Sequence, residues 1–153
     1  MKKLFICFSL VMCLLTTGCG EEKSKVAVSV DDFSTVCTDN GFTVNENTAT
    51  YQSYDYITDA RLATLGDIQI EMIKYTDSES AEKVLESHIE SFNLLKSSGA
   101  AEKNHKGDNY HKYILVSNNR YMISVRVDNT LIFCKTMQTN IEKIDKIFEE
   151  LGY

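Results

Sequence analysis

His105, Asp108 and His111 place two imidazoles and a carboxylate in one short polar stretch, the first pattern in this chain that suggests a metal ion. Zinc sites need three or four convergent ligands at recognisable spacings, and this spacing matches none of them. The plainer reading is a pair of solvated loop histidines. His88 stands between Leu85 and Ile89 on an apolar stripe, the setting of a partly buried histidine with a polar partner more than of a catalyst. Asp55, Asp59, Asp67 and Glu71 fall near expected strand ends, where carboxylates serve as an acid–base pair or, more simply, as turn formers. Tyr51, Tyr54, Tyr56 and Tyr75 gather aromatic faces able to stack sugars or peptides, although Tyr is also an ordinary strand former. The sequence contains no G-x-S-x-G elbow, phosphate-cradling glycine loop or EF-hand pattern. No catalytic, cofactor-binding or metal-binding residue is therefore assigned.

The cysteines carry a different message. Lys2 and Lys3 precede an apolar block, Leu4 to Thr16, interrupted only by Ser9 and Thr16, and the block ends at Thr16-Thr17-Gly18 before Cys19. That is the charge, length and small-residue ending of a signal peptide, and the block falls short of the roughly 20 residues a membrane span needs. Gly18-Cys19 resembles the lipobox of bacterial prolipoproteins, with Thr16 where Leu is usual and Leu15 one step further away. The resemblance implies cleavage after Gly18, lipid on the Cys19 thiol and a cell-membrane location facing the extracytoplasmic side. Two acyl chains would make that anchor stable.

With residues 1–18 removed, residues 19–25 read as a tether and 26–153 as one domain, a length that suits a single core. The full chain carries a net charge of −6, more negative once Lys2 and Lys3 leave, and its basic residues are scattered. That excludes the concentrated basic stripe of a nucleic-acid binder, and a polybasic grip on anionic lipid as well. The absence of Pro and the presence of only seven Gly fit packed elements and not a stalk. In layout, and in a final helix closing on Glu150-Leu151-Gly152-Tyr153, the mature chain is similar to small uncharacterised lipoproteins of Gram-positive bacteria. That likeness implies no known activity.

The elements that would position these groups follow from periodicity. Phe33, Val36 and Cys37 mark a short first helix ending at Asn40-Gly41. Residues 49–56, 60–65 and 68–75 read as two or three strands. Thr76 and Glu79 form a capping box ahead of a stripe through Ala81, Leu85, Phe92 and Leu95, which predicts a helix over about 78–97. Residues 100–109 read as a polar loop. Three meander strands then turn at Asn118-Asn119 and Asp128-Asn129, and a last helix begins at a second box, Thr139 to Glu142. The expected class is α+β, a two-layer antiparallel sheet with the helices on one face.

Two-residue turns fix the register of the meander: Val116 opposite Tyr121, Ile114 opposite Ile123, and Ile123 opposite Cys134. That face should meet the helices. Cys134 then points into the core, where Cys37 also belongs, either as a disulfide across a long loop worth about 2–4 kcal/mol or as two buried free thiols. The opposite face carries Tyr113, Leu115, Met122, Arg126, Leu131 and Phe133, too apolar to stand in water. It is either a partner surface ringed by Arg126 and Lys135, or a face covered by the N-terminal segment, the first helix or a second copy. The function expected is a membrane-anchored, non-enzymatic binding or accessory module contacting an envelope protein or small ligand. A small hydrolase or metal-dependent enzyme, and a structural or immunity-type envelope protein, are the alternatives.

Overall fold

The computed structural model describes residues 24–153. The expected signal peptide, Cys19 and most of the expected tether lie outside them. Helix α1 (Val30–Asp39) starts where the Ser29 side chain accepts from the Asp32 amide at 3.0 Å, and ends before Gly41 at φ +85°. Strand β1 (Thr43–Glu46) and a 3-10 turn over Thr48–Tyr51 lead into β2 (Ile57–Leu65) and β3 (Ile68–Tyr75). After α2 (Ser78–Asn93) come β4 (Ala101–Lys106), β5 (Tyr110–Ser117), β6 (Arg120–Val127), β7 (Thr130–Met137) and α3 (Ile141–Glu150).

The seven strands form one sheet in the order β1-β2-β3-β7-β6-β5-β4, antiparallel at every junction, so the fold is mixed α+β. Two meanders, β1–β3 and β4–β7, meet at β3 and β7, where Ile70 lies opposite Cys134 and Met72 opposite Ile132. The register within β5–β7 is the one the turns dictate: Val116 faces Tyr121, Ile123 faces both Ile114 and Cys134, and Val125 faces Ile132. Asn118 and Asn119 both hold positive φ, 51° and 60°, the conformation that matches a two-residue hairpin to strand twist.

Four expectations need correction. Residues 49–56 do not form a strand, because Asn47 turns the chain locally and Thr48 ties the turn to β2. The Thr50 amide donates to the Asn47 carbonyl at 3.0 Å, and Thr48 Oγ1 takes the Ala60 amide at 3.0 Å, which winds a turn where Tyr propensity suggested a strand. The expected loop at 100–109 contains β4, an edge strand exposed at every position and hence without alternation. Asp77, not Thr76, caps α2 by accepting from the Ser80 amide at 2.7 Å, and α2 ends at Asn93; α3 follows a 3-10 turn through Thr139 and has no side-chain cap.

The fourth correction concerns the layers. Helices α1 and α3 pack on one face, joining Phe33, Cys37, Ile144 and Phe148 to Ile123, Val125, Ile132 and Cys134. Helix α2 packs on the other, setting Ala81, Leu85 and Phe92 against Ile73, Leu131, Tyr113 and Met122. The helices thus flank the sheet, and the packing is not two-layer. The chain path gives the reason: α2 must travel from β3, in mid-sheet, to β4 at the edge, and the face it crosses is as apolar as the one below. Each large side chain so buried contributes about 1.5–3 kcal/mol.

Candidate functional site

The face offered by Tyr113, Leu115, Met122, Leu131 and Phe133 is therefore internal. Tyr113, Leu115, Met122 and Leu131 are fully buried beneath α2, and Phe133 is half-buried. Arg126, expected on the rim of a partner surface, is 8% exposed. Its Nε lies 2.6 Å from Glu82 Oε2 on α2, and its Nη1 donates to the Asn109 carbonyl at 3.0 Å. Glu82 also receives Lys106 at 3.1 Å and His111 Nδ1 at 3.4 Å. Burial pushes the Glu82 carboxyl upward, but the Lys106 hydrogen bond, the Arg126 charge and the His111 contact outweigh it and hold the group below the usual range. This cluster clamps α2 to the sheet.

The groups considered for chemistry are mostly engaged in structure. His111 Nε2 meets Asn104 Oδ1 at 2.9 Å across the β4–β5 ladder, and His105 sits on β4 opposite Lys112. Among the described residues no group of three or more His, Cys, Asp or Glu is placed to hold a metal ion. Asp59 meets Arg61 at 2.8 Å, while Asp67 lies in the β2–β3 turn beside Gly66. Cys37 and Cys134 are both buried in the α1/α3 core as free thiols, not bridged, and burial pushes each up to about 12. Protonated and enclosed, they are poor nucleophiles. Lys25, expected at the end of the tether, is fixed to the body. Its amide donates to Asn109 Oδ1 at 2.9 Å, its carbonyl takes Asn109 Nδ2 at 2.8 Å, and its Nζ reaches the Gly152 carbonyl at 2.8 Å.

The tyrosines come together. Tyr51, Tyr54, Tyr56, Tyr75, His88 and Phe133 line a cleft of about 220 Å³ between the start of β2, the end of β3 and α2, with Ile57, Ile73 and Val84 completing its walls. Successive turns aim the first three rings: the Tyr54 amide donates to the Tyr51 carbonyl at 2.8 Å, and the Ile57 amide to the Tyr54 carbonyl at 3.2 Å. The rings follow one another around the cleft at 6.5 Å for Tyr51 to Tyr54, 5.5 Å for Tyr54 to Tyr56 and 6.3 Å for Tyr56 to Tyr75. The last two rings are nearly parallel. Tyr54 is 48% exposed and forms the mouth.

Glu71 is the charged neighbour of this cleft. It shares a sheet face with Ile73 and Tyr75, lies opposite Phe133 across the β3–β7 ladder, and accepts from the Tyr51 hydroxyl at 2.7 Å and Asn47 Nδ2 at 2.6 Å. Burial, reinforced by that hydrogen bond, raises Tyr51 far above the ordinary phenol range, so it stays a neutral donor. His88 closes the other side. Its Nδ1 lies 3.0 Å from Ser124 Oγ, its ring meets Phe133 edge-on at 4.5 Å, and burial lowers its pKa to about 4. It is the partly buried histidine with a polar partner that the stripe indicated. Glu71 and Phe133 were visible in the sequence only under other headings, a strand-end carboxylate and a sheet-face aromatic.

No protein-family model matches the chain, and no curated protein matches it. Among solved structures, it is similar to a GTP binding regulator from Thermotoga maritima, at 16% identity and a TM-score of 0.46, over 84% of this chain and 87% of that one. At that level the likeness says nothing of what the present chain binds.

Proposed function

We propose that this chain is a membrane-anchored extracytoplasmic lipoprotein whose body is a non-enzymatic binding module, and that the tyrosine-lined cleft is where it binds. The observation that carries the binding part is the cleft: a concave, aromatic surface with one exposed ring at its mouth and a carboxylate, Glu71, hydrogen-bonded to a ring of its wall. Its volume lies below the roughly 300–1,000 Å³ of drug-sized ligand sites, so it suits a small molecule or a single side chain of an envelope protein. The anchor rests on the leader and on the Gly18-Cys19 junction.

If Cys19 carries lipid, the root at Lys25 orients the body. Lys25 and Asp128 share Asn109, and Asn129 Nδ2 donates to the Tyr75 carbonyl at 2.7 Å, so root and cleft belong to the same end of the sheet. The stretch from Cys19 to Lys25 reaches roughly 20 Å when extended, which holds the cleft close to the lipid surface. Mass spectrometry of the membrane fraction tests the anchor, with an N-terminal peptide beginning at diacylglyceryl-Cys19 as the expected product. A cleaved, unlipidated protein in the medium would overturn it. A small-molecule screen by NMR tests the cleft: hits should shift the ring signals of Tyr54 and Tyr56, and hits confined to other surfaces would remove the cleft from the proposal.

A further inference from the structure

We infer that the cleft takes a small soluble organic cation bearing a methylated ammonium group, held by the rings of Tyr51, Tyr54, Tyr56 and Tyr75 beside the Glu71 carboxylate. The inference rests on the binding-module reading and adds the chemistry of the ligand. Three observations carry it. The four rings line one small volume, each 5.5 to 6.5 Å from the next in sequence, and a cation within about 6 Å of an aromatic centroid is attracted by the negative face of the ring. Glu71 joins the cleft through the Tyr51 hydroxyl, and among the described residues its hydrogen-bond donors are two neutral groups, Tyr51 and Asn47, so its negative charge is oriented without being neutralised. The chain as a whole is acidic, with a net charge of −6, which favours approach of a cation.

Chemistry narrows the class further. A bare ammonium brings three N–H donors that each need an acceptor, and a cleft walled by rings supplies few. A methylated ammonium has little or nothing to donate and spreads its charge over methyl groups that pack on aromatic faces. A sugar would need several convergent hydrogen-bond partners, and a phosphate or carboxylate ligand would meet Glu71 with the wrong sign. His88 does not compete, because its lowered pKa leaves it uncharged at neutral pH and adds another aromatic wall.

The test is NMR or calorimetric titration of the intact chain with choline and with its uncharged isostere, in which a quaternary carbon replaces the nitrogen. Choline should bind at least about tenfold more tightly than the isostere. Tyr54→Ala, at an exposed ring, and Glu71→Gln, which keeps an acceptor for Tyr51, should each weaken choline about fivefold or more while leaving the melting temperature nearly unchanged. Equal binding of choline and isostere would overturn the cationic ligand and leave an apolar binding cleft standing. Binding to phosphatidylcholine vesicles without binding of free choline would overturn the soluble ligand in favour of a lipid headgroup. No binding of either compound or of vesicles, with no fragment moving the Tyr54 and Tyr56 signals, would overturn the cation and the cleft together.

Discussion

Replacing His88 with Gln removes a titration while keeping an amide that can still pair with Ser124. In the folded protein the imidazole titrates near 4, against an ordinary value of 6.5. Above the higher value neither the folded nor the unfolded chain binds a proton at this site, and its full stabilisation is present. As pH falls through 6.5 the unfolded chain takes up a proton that the folded chain refuses, and stability drops until the folded value near 4 is passed. The limiting slope is about 1.4 kcal/mol per pH unit, and between about pH 7.5 and about pH 4.5 the loss totals about 2.5 kcal/mol. Urea unfolding followed by far-UV circular dichroism, at intervals across that window, measures it in the wild type and in His88→Gln. The variant should be less stable at neutral pH but should lack this slope, so the two curves converge as the solution is acidified. Glu82, whose folded pKa is depressed, withdraws its own stabilisation only toward the acid end, and it does so in both proteins. Curves that stay parallel from neutral to acid pH would show that His88 does not titrate as its burial dictates.

The Glu82–Arg126 contact should behave as a buried ion pair. Glu82→Ala leaves the 8%-exposed Arg126 without its carboxylate and should reduce stability by about 3 kcal/mol; a loss below about 1 kcal/mol in urea unfolding would mean that solvent screens the pair. Cys37 and Cys134 should resist alkylation in the native protein and should both be alkylated after unfolding without reductant. Peptide mapping that finds the two linked would replace the free-thiol core with the cross-link.

The C-terminal meander was legible because its turns are Asn-Asn and Asp-Asn pairs, which accept positive φ and so count residues across the hairpins without ambiguity. The stripe of α2 was legible for a similar reason, since Ala81, Leu85 and Phe92 repeat at helical spacing. Strand β4 was not, because Ala101–Lys106 is an edge strand wetted at every position, and alternation encodes burial. Nor could periodicity tell which sheet face α2 would choose. Both faces of β5–β7 are apolar, and the choice follows from β7 lying beside β3, a non-local pairing with no local signal. The cleft suffers from both limits. Its tyrosines were visible as a cluster, but three of them are aimed by turns, and Phe133, Val84 and His88 arrive from β7 and α2.

That construction makes the cleft dependent on the docking of α2. Val84 and His88 supply one wall, and on the same helix Glu82 is fastened to Arg126 while Leu85 is buried against the sheet. Protonating His88 places a charge beside Phe133 and Ser124, at the seam where α2 meets β6 and β7, and protonating Glu82 removes the carboxylate that holds the helix down. Both events act in the same direction on one element. Acid should therefore open the cleft before it unfolds the sheet, because β3–β7 pairing and the α1/α3 core involve neither group. A shared acid midpoint for cleft and sheet would instead mean that α2 and the strands part company only together.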